Sequence, residues 1–135
     1  MARILCIDYG KKRCGLAVTD MLKIIASPLD FVETHKLMPF IDNYLREEEV
    51  EELLIGYPVH HDGTKTYLCD EIDEFLSDFT KKYSEITIAK TDESYSSVDA
   101  KSLLAEASRK KKTRRSKGEL DKMSAVVILR RYMNY

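Results

Sequence analysis

The sequence predicts an α/β fold: a five-stranded mixed sheet, its first three strands antiparallel, flanked by helices. Two patterns and one length predict it. Short apolar runs joined by turn signals fill the chain up to Val32, and beyond Leu37 segments of helical period alternate with further short apolar runs. The chain has 135 residues, the length of one domain spanning 1–135, enough for a sizeable core but too short for two ordinary lobes around a cleft.

Each element has its own signature. Ile4-Leu5-Cys6-Ile7 has no polar alternate and reads as a strand covered on both faces. It ends on Asp8. The polar, glycine-containing Tyr9-Gly10-Lys11-Lys12-Arg13 then leads into Cys14-Gly15-Leu16-Ala17-Val18-Thr19, and together they read as a hairpin. Ile24 to Val32 is a third strand, which Pro28 assigns to an edge or interrupts, because proline offers no N–H to a ladder. Leu37, Phe40, Ile41, Tyr44 and Leu45 fall at helical spacing, and Glu47 to Glu49 form a solvated end. Val50 to Tyr57 is a buried strand running into Pro58 and a turn at Asp62-Gly63. Leu68, Ile72, Phe75, Leu76, Phe79 and Tyr83 repeat the helical period, and Ile86 to Thr91 is a fifth strand ending at Asp92-Glu93. Ser97 caps a further helix from about Val98 to Ser108. In the last helix Leu120, Met123, Val127 and Ile128 share a face, with small Ser124 and Ala125 beside them to permit close approach to a sheet.

Composition narrows the function classes. A net charge of −1 gives no overall attraction to nucleic acid, so any such affinity must come from a local patch. Three cysteines, Cys6, Cys14 and Cys69, lack C-x-x-C spacing, lie in core-like segments and read as reduced and buried. With no signal-peptide pattern and no apolar run near 18 residues, a soluble cytoplasmic protein without membrane contact is expected.

The chemistry lies in where the acids fall. Asp8 ends the first strand, Glu93 ends the fifth with Asp92 beside it, and Asp121 opens the last helix. In open sheets with parallel strands, ligands collect outside the strands' carboxyl ends, so Asp8 and Glu93 share a rim if their strands run the same way. Converging carboxylates repel unless a cation lies between them, and hard oxygen donors suit Mg²⁺ or Mn²⁺. Two such ions would activate water on one side of a phosphodiester and stabilise the leaving oxygen on the other. Each acid also has a plainer reading: Asp8 as a turn acceptor before Gly10, Asp121 as a complement to the helix dipole, Glu93 as a surface residue beside a turn made by Asp92 or Ser94. His60-His61, in a polar loop, are not assigned a metal. The run from Arg109 to Lys117 is the most biased segment, and phosphate contact is its expected use. Candidate nucleic-acid contacts are Lys11, Lys12 and Arg13 in the hairpin, and Arg109, Lys110, Lys111, Lys112, Arg114, Arg115 and Lys117 in that run.

The stretch from Ile7 to Asp20, with Ile55-Gly56-Tyr57-Pro58, Asp62-Gly63-Thr64, Asp92-Glu93, Ser96-Ser97-Val98-Asp99-Ala100 and Asp121 to Leu129, resembles the YqgF/RuvX family of pre-16S rRNA nucleases related to Holliday junction resolvases. The resemblance covers essentially the whole chain. It implies an RNase H-like fold and a metal-dependent nuclease for structured nucleic acid, trimming the 5′ end of the small-subunit rRNA precursor. It places the family's acids at Asp8, Glu93 and Asp121. Family members usually carry Arg after the Asp-Glu pair, where this chain has Ser94, so Arg13 or the Arg109–Lys117 loop is left to supply that cation. The other readings are resolution of branched DNA, for which a homodimer rather than a monomer is expected, and non-catalytic RNA binding. The acid, glycine and basic hairpin also resembles the phosphate hairpin of actin-like ATPases, but one domain cannot form both of their lobes.

Overall fold

A computed structural model describes residues 2–58, 66–92 and 117–133, with side chains described at all of these except 92 and 117–122. The elements are β1 (Arg3–Asp8), β2 (Arg13–Thr19), β3 (Ala26–Glu33), a 3-10 turn (Thr34–Lys36), α1 (Leu37–Glu47), β4 (Val50–Tyr57), α2 (Leu68–Lys82), β5 (Thr87–Asp92) and α3 (Lys117–Tyr132). The expected turn at Asp62-Gly63 and the expected helix from Val98 to Ser108 lie outside the described residues.

The strands form one sheet in the order β3-β2-β1-β4-β5. β1 and β2, and β2 and β3, pair antiparallel, whereas β4 lies parallel to β1 and β5 parallel to β4. The mixed five-stranded sheet is therefore as the sequence implies. Its central strand is also the most apolar one. Leu5 and Ile7 point into a core with Leu53, Ile55, Ile72 and Phe79, while Ile4 and Cys6 point into a second core with Ala17, Leu54, Ala125 and Ile128. Burying a Leu, Ile or Phe side chain stabilises by about 1.5–3 kcal/mol, and a strand placed to do so on both faces must be central. The three cysteines are buried, as expected.

α1 buries Leu37 and Ile41, and α2 buries Cys69, Ile72, Phe75, Leu76 and Phe79, the helical stripe of the sequence. α3 packs on the opposite face, across β2, β3 and β1. Its buried residues run without a break from Ser124 to Leu129, and those that meet the sheet are Ala125, Val126, Ile128 and Leu129. Of the expected stripe, Val127 and Ile128 are buried, Met123 is half-buried, and the side chain of Leu120 is not among those described. The small residues Ser124 and Ala125 are buried beside that stripe, as expected, and Val126 and Leu129 extend the buried face.

The third strand also differs from its expected bounds. Ile24 and Ile25 carry strand-like side chains but stand in the turn before Ala26, where they are 56% and 58% exposed. Asp20 places them there, its Oδ1 accepting the backbone N–H groups of Ile24 at 2.7 Å and Ile25 at 2.9 Å. Pro28 sits on the edge strand as expected. Ala17 pairs with Pro28 and Leu16 with Asp30, so Leu29 is one residue too many, a bulge that accommodates the missing N–H.

Candidate active site

β1, β4 and β5 run the same way, so Asp8, Tyr57 and Asp92 close their strands at one pole of the sheet. Ile7 is level with Ile55, and Gly56 with Thr91, which puts Asp8 two strand spacings, about 10 Å, from Thr91. Alternation along β1 gives Asp8 the face of Ile4 and Cys6, the one α3 covers. Asp8 is half-buried between buried Ile7 and Tyr9.

The turn after Asp8 requires glycine. A Cβ on Gly10 would stand 2.3 Å from the carbonyl oxygen of Arg13, a backbone atom that cannot yield without opening the hairpin. Thr34 laces the same turn from the end of β3. Its hydroxyl donates to the Gly10 carbonyl at 2.7 Å and its N–H to the Lys12 carbonyl at 2.8 Å. Lys11 and Lys12 are thereby held exposed in the turn that follows Asp8. The Nε of Arg13 is buried without a hydrogen-bond partner.

Tyr57 ends β4 in a bracket. Its hydroxyl donates to Asp73 of α2 at 3.1 and 3.2 Å, Lys90 of β5 pairs with the same carboxylate at 3.2 Å, and the ammonium lies 4.7 Å from the Tyr57 ring centre. Burial and this hydrogen bonding push the Tyr57 hydroxyl's pKa up, so it remains a donor at neutral pH. Tyr9 is pushed up to about 12, by burial first and then by Cys14, Glu71 and Glu74. Sequence reasoning missed Asp73, Lys90 and Thr34, which make their contacts across 16 or more positions and belong to no local motif.

Of the candidate acids, the structure places Asp8 fully and Asp121 by its backbone, in the first turns of α3. The far end of that helix is tied down, Tyr132 donating to Glu52 near the start of β4 at 2.8 Å, and Asp121 lies about 16 Å back along the axis. Glu93, which follows Asp92, lies outside the described residues. So do Ser94, His60, His61, Arg109, Lys110, Lys111, Lys112, Arg114 and Arg115, while Lys117 is the first residue of α3 rather than part of a loop. Among the described residues no three His, Cys, Asp or Glu side chains are grouped to hold a metal ion. Nor is any helix among them long and apolar enough to cross a membrane.

A family model described as "RuvX: Holliday junction resolvase" matches residues 2–135. A relative in Christiangramia forsetii named "Putative pre-16S rRNA nuclease" is 43% identical over 133 residues, 98% of each chain. One of the same name in Bacteroides fragilis is 39% identical, covering 98% of this chain and 96% of its own. Among solved structures, "T. thermophilus RuvC in complex with Holliday junction substrate" superposes with a TM-score of 0.60 at 15% identity, over 98% of this chain and 96% of that one. That likeness shows the fold, which is RNase H-like.

Proposed function

The chain belongs to the RuvX family, and from that premise we propose that it is a metal-dependent nuclease trimming the 5′ end of pre-16S rRNA in the cytoplasm. The observation that carries the reading is the position of Asp8, a carboxylate fixed by a doubly buried strand at the pole where β4 and β5 also end. Central strands hold functional groups more rigidly than loops do.

Asp8, Glu93 and Asp121 are the ligands of Mg²⁺ or Mn²⁺ in this reading. Hard carboxylate oxygens fit either ion, and the turn that follows Asp8 exposes lysines able to take the phosphates that such an ion leaves partly uncompensated. Two ions so held would supply an activated water and stabilise the leaving oxygen. The chain's own residues position the strand: Lys11 and Lys12 draw the backbone to the hairpin, and Arg13 provides the cation that the family places where Ser94 stands here. The Arg109–Lys117 run adds phosphate contacts.

The test is cleavage of precursor 16S rRNA and of a four-way DNA junction by wild type and Asp8→Asn, with and without Mn²⁺. We expect metal-dependent cleavage of the RNA and a loss of about 100-fold or more in the variant. Equal cleavage by the two proteins would remove Asp8 from the site, and cleavage confined to the junction would replace RNA trimming by resolution of branched DNA.

A further inference from the structure

On the face of the sheet away from α3, a trough runs from the basic hairpin along α2. Its first lobe, about 840 Å³, lies against Lys11, Lys12 and Arg13, and its second, about 430 Å³, runs on past Glu71, Glu74 and Asp78. Tyr9, Thr34, His35 and Glu71 line both lobes, so the two are continuous.

The trough carries charge at both ends, with Leu37, Met38 and Phe75 among the residues between. At one end three cations gather, with a buried Arg13 Nε lacking an acceptor, against two acids, Glu33, which is 3.3 Å from His35, and Glu71, where the lobes meet. A buried donor without a partner favours an anionic oxygen as its neighbour. At the other end Glu71, Glu74 and Asp78 stand at i, i+3 and i+7 on one stripe of α2, and the nearby Lys82 is engaged by Asp42 at 2.8 Å. Carboxylates stacked in this way favour a ligand that brings N–H donors. Between the ends lie two rings, Tyr9 and Phe75, 6.0 Å apart and tilted by 45°.

We infer that the trough binds a guanine nucleotide, its phosphate at Lys12 and Arg13, its base along Tyr9, and its N1–H and N2–H₂ donors toward Glu71 and Glu74. A phosphate, a flat ring and a donor-rich edge follow one another in this ligand as cations, aromatic side chains and carboxylates do in the trough. Guanine offers two adjacent donors to a carboxylate, whereas uracil flanks its one N–H with carbonyl oxygens that the carboxylates repel. Exposed Tyr67, with Lys11 5.7 Å from its ring centre, stands at the hairpin end as a surface for a neighbouring base. The inference rests on the nucleic-acid reading above and names an element of its substrate, an unpaired guanosine beside the cleaved strand. Free nucleotide has the same chemistry.

Amide NMR titration of the full chain with GMP, UMP and inorganic phosphate tests this. GMP should shift the amides of Thr34, His35, Glu71 and Phe75 saturably and bind about tenfold more tightly than UMP. The double substitution Glu71→Gln, Glu74→Gln should level the two nucleotides, and Lys12→Ala should weaken both. A short RNA with one unpaired guanosine should compete if the ligand belongs to the strand, and fail to compete if the trough takes free nucleotide. Absence of saturable shifts at these amides, or equal binding of GMP, UMP and phosphate, would overturn the inference. Asp8→Asn should keep GMP binding while losing cleavage; in wild type, GMP binding without any metal-dependent cleavage would sink only the nuclease reading, and cleavage without GMP binding only this one.

Discussion

The meander β1-β2-β3 has two hairpin ends, and each carries an aspartate where a strand stops. At the amino pole Asp20 serves the fold. Its carboxylate accepts two N–H groups, and these bonds, that from Ile25 foremost, hold its pKa below the ordinary value. Lys23 at φ 60° completes a turn that displays Met21, Leu22, Ile24 and Ile25 to solvent. At the carboxyl pole the lacing falls to Gly10 and Thr34, and the exposed side chains are lysines. A strand-end aspartate is thus not functional by position alone. What else holds the turn, and which charges surround it, separate the two cases.

Exchanging the two aspartates for asparagine breaks the comparison most sharply. Asp8→Asn should lower cleavage of precursor rRNA about 100-fold or more, while Asp20→Asn should leave it within about twofold. Similar losses in both would mean that the poles are not functionally distinct. Next in size is Gly10→Ala, whose Cβ meets the Arg13 carbonyl; urea unfolding should show a loss of about 2–3 kcal/mol. Thr34→Val, which removes one hydroxyl donor from the same turn, should cost about 1 kcal/mol by that measurement.

Asp20→Ala should lower the melting temperature by a few degrees at pH 7. Because its folded pKa lies below the unfolded value, Asp20 contributes fully above the unfolded pKa, near ~3.9, and the contribution is lost as pH falls through the folded pKa. The gap in melting temperature between wild type and variant should therefore close in acid, and a gap that widened there would contradict the turn assignment. Smallest is Lys23→Gly. Relief of a left-handed conformation is offset by glycine's greater entropy loss and by the broken pair with Glu51, for a net change within about 1 kcal/mol.

The mixed sheet and the place of Asp8 at a strand end were legible because an apolar run with no polar alternate reads as a strand covered on both faces, and a charge can stand only at its end. The start of β3 was not, since Ile24 and Ile25 have strand propensity and only the reach of the Asp20 carboxylate puts them in a turn. On α3 the buried Ser124, Ala125, Val127 and Ile128 were legible, whereas Val126 and Leu129 were not, because a periodicity argument selects one narrow stripe and the helix buries a wider face. The trough was invisible in the sequence because its cations, rings and carboxylates come from three elements, and nothing local in the chain pairs Tyr9 with Phe75 or Lys12 with Glu71.

The central claim, that Asp8 joins Glu93 and Asp121 around a divalent ion, is tested most directly by Mn²⁺ titration of the full chain followed by electron paramagnetic resonance. Wild type should bind saturably, and Asp8→Asn, Glu93→Gln and Asp121→Asn should each weaken binding about tenfold or more. Three variants that take up Mn²⁺ as tightly as wild type would contradict the account.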